Sequence, residues 1–258
     1  MYALQINQVS VRRASQMILE DVTFDVGVGQ HWAMIGPNGA GKTTIMNLLA
    51  ATTFPTTGTV HVLGDQLGRV DLRDLRRRIG HVTPRHPLSS NLSALDVALT
   101  GETATVELLG PGAYSDEIRH RAEMLCKEFG LDDPAAARWL TMSQGERGKA
   151  LIARALVTDP PLVLLDEPST GLDLATREQM VRTIGEMQET RPELTTVTVT
   201  HHLEELPATT SHAVLVKAGR VMAAGPVEEV LTSASVSECY AYPLTLERRR
   251  GRWSAFAA

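Results

Sequence analysis

Apolar and polar positions alternate at the start of the chain: Leu4, Ile6, Val9 and Val11 share one face, and Val22, Phe24 and Val26 repeat the pattern. A period of two predicts half-buried antiparallel strands, here joined by a turn near Ala14–Gln16. His31–Ile35 (HWAMI) is a short apolar strand that runs into a glycine-rich loop. From Thr43 to Ala51 the spacing turns helical, with Ile45, Leu48 and Leu49 on one face. Thr59–Leu63 reads as a further strand and Leu72–Arg78 as a short basic helix, after which Ile79–Val82 leads into a different kind of segment.

From about Thr83 to Thr141 strand patterns disappear and helical ones dominate, broken by Pro84, Pro87, Gly110, Pro111, Gly112 and Pro134. This predicts a helical insertion within an α/β domain. Alternation then resumes: helix Gln144–Thr158, strand Leu162–Leu165, helix Ala175–Thr190, strand Thr196–Thr200 and strand Ala213–Lys217. Strands separated by helices of this length imply a mostly parallel sheet covered on both faces. In the tail, Leu244 and Leu246 alternate, Arg250–Gly251 can turn, and Trp253 and Phe256 can return as a second strand. The four arginines of that hairpin (248, 249, 250 and 252) read as a solvated face.

Composition narrows the class without changing the pattern. The chain has 258 residues, 43% of them apolar and 21% charged, with a formal charge of −5. That excludes a disordered chain and a disulfide-stapled scaffold, and the mild acidity argues against a nucleic-acid partner. Cys126 and Cys239 form no metal-ligand or CxxC pattern and read as reduced thiols. The longest uncharged run, Thr43–Gly64, carries Asn47, Pro55, Gly58 and His61 and is not read as a membrane span. No signal peptide is expected from MYALQINQVSV.

The chemistry begins at Gly36-Pro37-Asn38-Gly39-Ala40-Gly41-Lys42-Thr43-Thr44, which fits G-x-x-x-x-G-K-[ST] between a strand and a helix. Glycines let successive backbone N–H groups converge on phosphate oxygens, and the helix N-terminus adds partial positive charge. Lys42 is expected on the β- and γ-phosphates and the Thr43 hydroxyl on Mg²⁺. Leu162-Val-Leu-Leu-Asp166-Glu167 supplies a buried strand whose carboxyl end delivers Asp166 to the metal. Glu167 follows, placed to act as general base on an attacking water. The expected fold is therefore an α/β P-loop NTPase core with a mostly parallel sheet, an N-terminal antiparallel β subdomain and a helical insertion subdomain.

At Thr141-Met142-Ser143-Gln144-Gly145-Glu146-Arg147 the sequence resembles the signature motif of ABC ATPases, whose usual form is LSGGQ. The family's other marks follow in order: Leu162–Glu167, then Ser169-Thr-Gly-Leu-Asp173, then His201 after TVTVT. The resemblance covers about residues 3–230, with the closest likeness to ATPase subunits of molybdate and iron-complex uptake. No guanine-binding N/T-K-x-D motif is present, which excludes a small GTPase. The resemblance implies an ATP- and Mg²⁺-dependent ATPase domain at 1–236, its helical subdomain at about 84–142, and a tail at 237–258. It further implies two copies packed head to tail, each ATP held between one copy's P-loop and the other's Ser143 and Gly145. Glu167 would be the base, His201 the γ-phosphate contact and Asp173 the signal across the dimer; His202 reads as a surface histidine. Transmembrane permease subunits would be the partners, on the cytoplasmic face of the membrane. The alternative is a soluble single-domain ABC ATPase that moves no solute.

Three departures from the family pattern stand out. Arg13 occupies the place of the adenine-stacking aromatic, and a guanidinium plane can stack on a purine. Pro84 replaces the metal-contacting glutamine, with Arg85 and His86 beside it. Gln144 and Glu146 replace a glycine and a glutamine of the signature. Slow hydrolysis is the expectation.

Overall fold

A computed structural model describes residues 1–83, 87–88, 90–110 and 112–258. The alternating N-terminal segments form β1 (Tyr2–Arg13) and β2 (Gln16–Gly27), which pair antiparallel with Arg13 opposite Gln16. Every apolar residue of the predicted stripe, from Leu4 to Val26, is buried. β3 (His31–Ile35) follows, then the glycine-rich loop, then α1 (Lys42–Leu49). β4 (Thr57–Val62) returns to the free edge of β1, and β5 (Asp65–Gln66) completes a four-stranded sheet in the order β2-β1-β4-β5. α2 (Leu72–Arg77), capped by Asp71, leads into β6 (Ile79–Val82).

The insertion holds α3 (Ala94–Thr103) and α4 (Asp116–Glu128), capped by Ser93 and Ser115. α5 (Gln144–Leu156), β7 (Leu162–Asp166), α6 (Leu174–Thr190) and β8 (Thr195–Val199) return the chain to the core. β9 (His212–Lys217) and β10 (Arg220–Pro226) finish a second sheet, in the order β10-β9-β3-β8-β7-β6. All its pairings are parallel except β9 with β10. The expected α/β architecture is what the chain adopts. Pro84, the departure noted in the sequence, lies outside the described residues with Arg85 and His86.

The sheet separates the interior into distinct cores. On one face, the antiparallel sheet and α1 pack Leu4, Ile45, Leu48 and Val60 against Leu162, Leu164 and Val197. On the other, α3 to α6 pack Val97, Leu125, Leu151 and Ile184 against Val163 and Leu165. β7 therefore has apolar neighbours on both sides, which is why its sequence is an unbroken apolar run and does not alternate.

Three elements after Lys217 were not anticipated: β10, α7 (Val227–Val230) and α8 (Ser233–Tyr240). β10 has only partly buried and exposed residues, so it lacks an apolar stripe; it forms because β9 offers an unfilled edge. α8 buries just Val236 and Cys239, too few for a visible period, and is started by a Thr232–Ser235 capping box. Residue 237 lies inside this helix. The tail folds as β11 (Leu244–Arg249) and β12 (Arg252–Ala257), paired antiparallel.

Leu164 is fully buried on β7, between β8 and the edge strand β6. Leu164→Ala removes packing on a strand with little room to collapse, and chemical denaturation should show a loss of about 2–5 kcal/mol.

Candidate active site

The loop Gly36–Gly41 joins β3 to α1. Gly41 is the N-cap of α1 with φ 105°, and a Cβ there would meet Leu19 Cδ2 at 2.6 Å. Only glycine satisfies both the left-handed backbone and the close approach of β2. The loop is laced down by Ala40 N–H to the Pro37 carbonyl (3.2 Å) and Gly219 N–H to the Ala40 carbonyl (2.9 Å). Among the described residues, no acceptor meets the N–H groups of Gly39, Gly41, Lys42 and Thr43. A Cβ on Gly39 would meet nothing within 4 Å. Backbone donors without acceptors at a helix N-terminus, beside open space, fit a phosphate chain.

Lys42 is 6% exposed, and its Nζ donates to the carbonyls of Gly36 (2.6 Å) and Pro37 (3.0 Å). Burial lowers its pKa, while the carboxylates of Glu167 and Asp166 act to raise it. That coupling places the lysine close to the carboxyl end of β7. Thr43 is exposed and Thr44 half-buried. The Thr43 hydroxyl and the Asp166 carboxylate are hard oxygen donors of the kind Mg²⁺ takes, so the residues fit a Mg²⁺–nucleoside triphosphate.

At the end of β7 the backbone turns sharply: Glu167 has φ 50°, left-handed and unusual for a non-glycine residue. Its N–H donates to the Val199 carbonyl (2.9 Å) and its carbonyl accepts from Thr170 N–H (3.1 Å). The carboxylate is engaged on both oxygens. His201 Nδ1 lies 3.1 Å from Oε1, and the Thr170 hydroxyl donates to Oε2 at 3.2 Å. Both side chains of the Glu167–His201 pair stay about one-third exposed, 30% and 33%. His202 is exposed, its ring 4.0 Å from that of His201. Sequence reasoning gave no role to Thr170, although it lies in the Ser169–Asp173 motif that was singled out.

Ser143 caps α5 in a capping box: its hydroxyl accepts from Glu146 N–H (3.3 Å), and the Glu146 carboxylate accepts from Ser143 N–H and hydroxyl, each at 2.8 Å. These bonds hold the Glu146 carboxyl below the usual range. A Cβ on Gly145 would lie 2.4 Å from Thr176 Cγ2. Helix packing against α6 therefore demands glycine there, independently of any phosphate. Asp173 caps α6, accepting from Thr176 N–H and hydroxyl at 2.9 Å each.

The fold thus brings together Lys42, Asp166, Glu167 and His201. Ser143 and Gly145 lie on α5 and its cap, and among the described residues Ser143 bonds to Glu146 and not to Lys42, Glu167 or His201. Arg13 is exposed at the end of the β1–β2 hairpin, whose second strand carries Leu19 onto the loop at Gly41.

A phosphate loop, an acid pair at the end of a buried parallel strand and a histidine on the neighbouring strand's end define a P-loop nucleoside triphosphatase. The ABC transporter family model matches residues 19–170, and this chain belongs to that family of ATP-hydrolysing proteins. It is 38% identical to the uncharacterised ABC transporter ATP-binding protein YlmA of Bacillus subtilis, over 93% of this chain and 92% of that one. It is 33% identical to the molybdate/tungstate import ATP-binding protein WtpC of Thermococcus kodakarensis, over 85% of this chain and 64% of the relative. Among solved structures, the dimeric bacterial ABC transporter cassette MJ0796 superposes with a TM-score of 0.72 at 26% identity, over 87% and 98% of the two chains. Among the described residues no helix is long and apolar enough to cross a membrane.

The Asp173 cap has a pH signature. Its pKa is lowered below the ordinary aspartate value, first by the Thr176 backbone bond. Its stabilising contribution is therefore complete above the unfolded pKa and lost as pH falls through the depressed one. Asp173→Ala should melt at a lower temperature than wild type at neutral pH, with the two curves converging under acid; thermal melts across pH check this.

Proposed function

We propose that two copies of this chain close on two ATP molecules and drive separate transmembrane permease subunits of an ABC transporter from the cytoplasmic membrane surface. The observation that carries the reading is the Glu167–His201 contact at 3.1 Å, set beside a buried lysine at the mouth of a phosphate loop. The family match and the dimeric relative MJ0796 support pairing.

In this reading the backbone of Gly36, Pro37, Asn38, Gly39, Ala40 and Gly41, with Lys42, Thr43 and Thr44, cradles the triphosphate. Lys42 gives up its two loop carbonyls to meet β- and γ-phosphate oxygens. Thr43 and Asp166 would hold Mg²⁺, which when bound offsets the charge of the phosphates. Glu167 takes a proton from water as its oxygen bonds to the γ-phosphorus; the bond from that phosphorus to the bridging oxygen breaks, giving ADP and phosphate. His201 holds the carboxylate of Glu167 on one oxygen while Thr170 holds the other. Ser143 and Gly145 meet the γ-phosphate of the opposite copy, for which the Ser143 hydroxyl must leave Glu146. Arg13, on the hairpin that leans on the loop, lies over the adenine. Residues 1–236 make up this ATPase domain, with 84–142 as the lobe that meets the permease. Identity to the molybdate/tungstate protein supports an oxyanion uptake class.

Replacing Glu167 by Gln keeps the shape but removes the base, so phosphate release should fall by about 10²–10⁴-fold while an ATP-dependent dimer accumulates. Equal rates in the two proteins would overturn the assignment of Glu167. For the partner, the tagged chain should be recovered from gently solubilised membranes with a stoichiometric multi-spanning protein. Recovery only from the soluble fraction, with a soluble partner, would favour an ABC ATPase that moves no solute.

A further inference from the structure

The arginine-rich tail was read as a solvated face, and only part of it is one. Arg249 and Arg250 are exposed, but the hairpin is seated by Trp253, 8% exposed in a core with Ile35, Leu203 and Leu206. The Arg248 guanidinium lies 5.4 Å from the centre of the Trp253 ring and pairs with Glu228. Arg252 reaches in the other direction. Its two terminal nitrogens donate to the two carboxylate oxygens of Glu178, at 2.8 and 3.2 Å, and Nη2 also donates to the Glu204 carbonyl. The Arg252 contact lowers the pKa of the Glu178 carboxyl.

Those two acceptors belong to elements that meet at the active site. Glu178 lies on α6, which Asp173 caps. Glu204 lies in a single 3₁₀ turn, Leu203–Glu205, directly after His201 and His202. One planar guanidinium therefore ties the helix behind Asp173 to the turn behind His201. Two further contacts fix the same turn from within: the Thr200 hydroxyl donates to Glu205 (2.6 Å), and His202 N–H donates to the Thr200 hydroxyl (3.1 Å).

We propose that Arg252 is a positioning residue for hydrolysis, holding the His201 turn against α6 so that Nδ1 of His201 stays on Glu167. This rests on the assignment of Glu167 and His201 given above. A half-exposed ion pair adds little to global stability, whereas a small displacement of a catalytic group costs rate. The two effects should separate.

The test is steady-state phosphate release by the full chain and its Arg252→Ala, Arg252→Lys, Glu178→Ala, His201→Ala and His201→Ala/Arg252→Ala variants, with thermal melts alongside. Arg252→Ala should lower kcat about five- to ten-fold with KM for ATP nearly unchanged. Arg252→Lys, which reaches one acceptor at a time, should recover part of the loss. Because Arg252 acts through His201, its removal should cost nothing further once His201 is alanine. Unchanged kcat in Arg252→Ala, or losses that multiply in the double variant, would overturn the inference. Should Arg252→Ala fail to fold, Glu178→Ala cuts only the α6 arm, and an unchanged kcat there overturns it equally. A His201→Ala protein working at the wild-type rate would overturn the assignment of His201 and this inference with it. An impaired His201→Ala beside a normal Arg252→Ala overturns this inference alone.

Discussion

The register of three parallel strands is the constraint on which the site depends. Val199 on β8 lies opposite Met34 on β3 and Asp166 on β7. Because parallel strands all present their carboxyl ends to the same edge, the residues just beyond those positions arrive together. Beyond Met34 come Ile35 and the phosphate loop, beyond Asp166 comes Glu167, and beyond Val199 come Thr200 and His201. A slip of one residue in either pairing would turn each inward side chain to the opposite face. It would also separate Glu167 from His201, which holds its carboxylate. The apolar cores on both faces of β7 make such a slip costly, so chemistry at the strand ends is fixed by packing well below them.

The polar groups at that edge are held in arrangements that leave work to be done on binding. Lys42 is a buried cation whose donors rest on two loop carbonyls. Glu167 keeps a left-handed backbone that the Val199 and Thr170 bonds over-determine. Strain of this kind persists only where the surroundings enforce it. Ser143 spends its hydroxyl proton on Glu146; a phosphate arriving at α5 competes with a carboxylate already in place. The lysine and serine bonds are satisfied within a single copy, and in the proposed function both would be exchanged for phosphate contacts. That is the property expected of a protein that changes state with its nucleotide.

Much of this was legible in the sequence, for physical reasons that differ from residue to residue. The phosphate loop and Asp166–Glu167 were readable because phosphate and metal chemistry restrict residue types at fixed spacing. β7 was readable because a strand buried on both faces leaves no alternation. What was hidden depends on neighbours distant in the chain. β10 exists because of an edge that β9 leaves open, and α8 because two side chains find a core formed by residues from the start and end of the chain. Gly145 is the instructive mixed case. It was read as glycine for the sake of a phosphate, yet the contact with Thr176 would require a glycine at that point on packing alone. A motif residue can thus carry two constraints, and the sequence displays only their common answer.

The C-terminal segment shows how an element with no motif of its own can bear on the site. Trp253 supplies the apolar anchor, Arg248 covers it, and Arg252 extends from the same strand to the backbone behind His201. Arg252 presents a rigid fork to a carboxylate and a carbonyl at once, a geometry that lysine cannot copy. Alternation at Leu244 and Leu246 foretold the strands but not the direction of their arginines, since that is decided by where the hairpin lands. The parallel sheet sets the site to within a residue; finer placement of the histidine falls to the turn that follows it. That turn is secured from inside by Thr200 and Glu205 and from outside by Arg252. A site assembled from strand ends is only as rigid as the loops leaving them, and here the last strand of the chain returns to brace one of those loops.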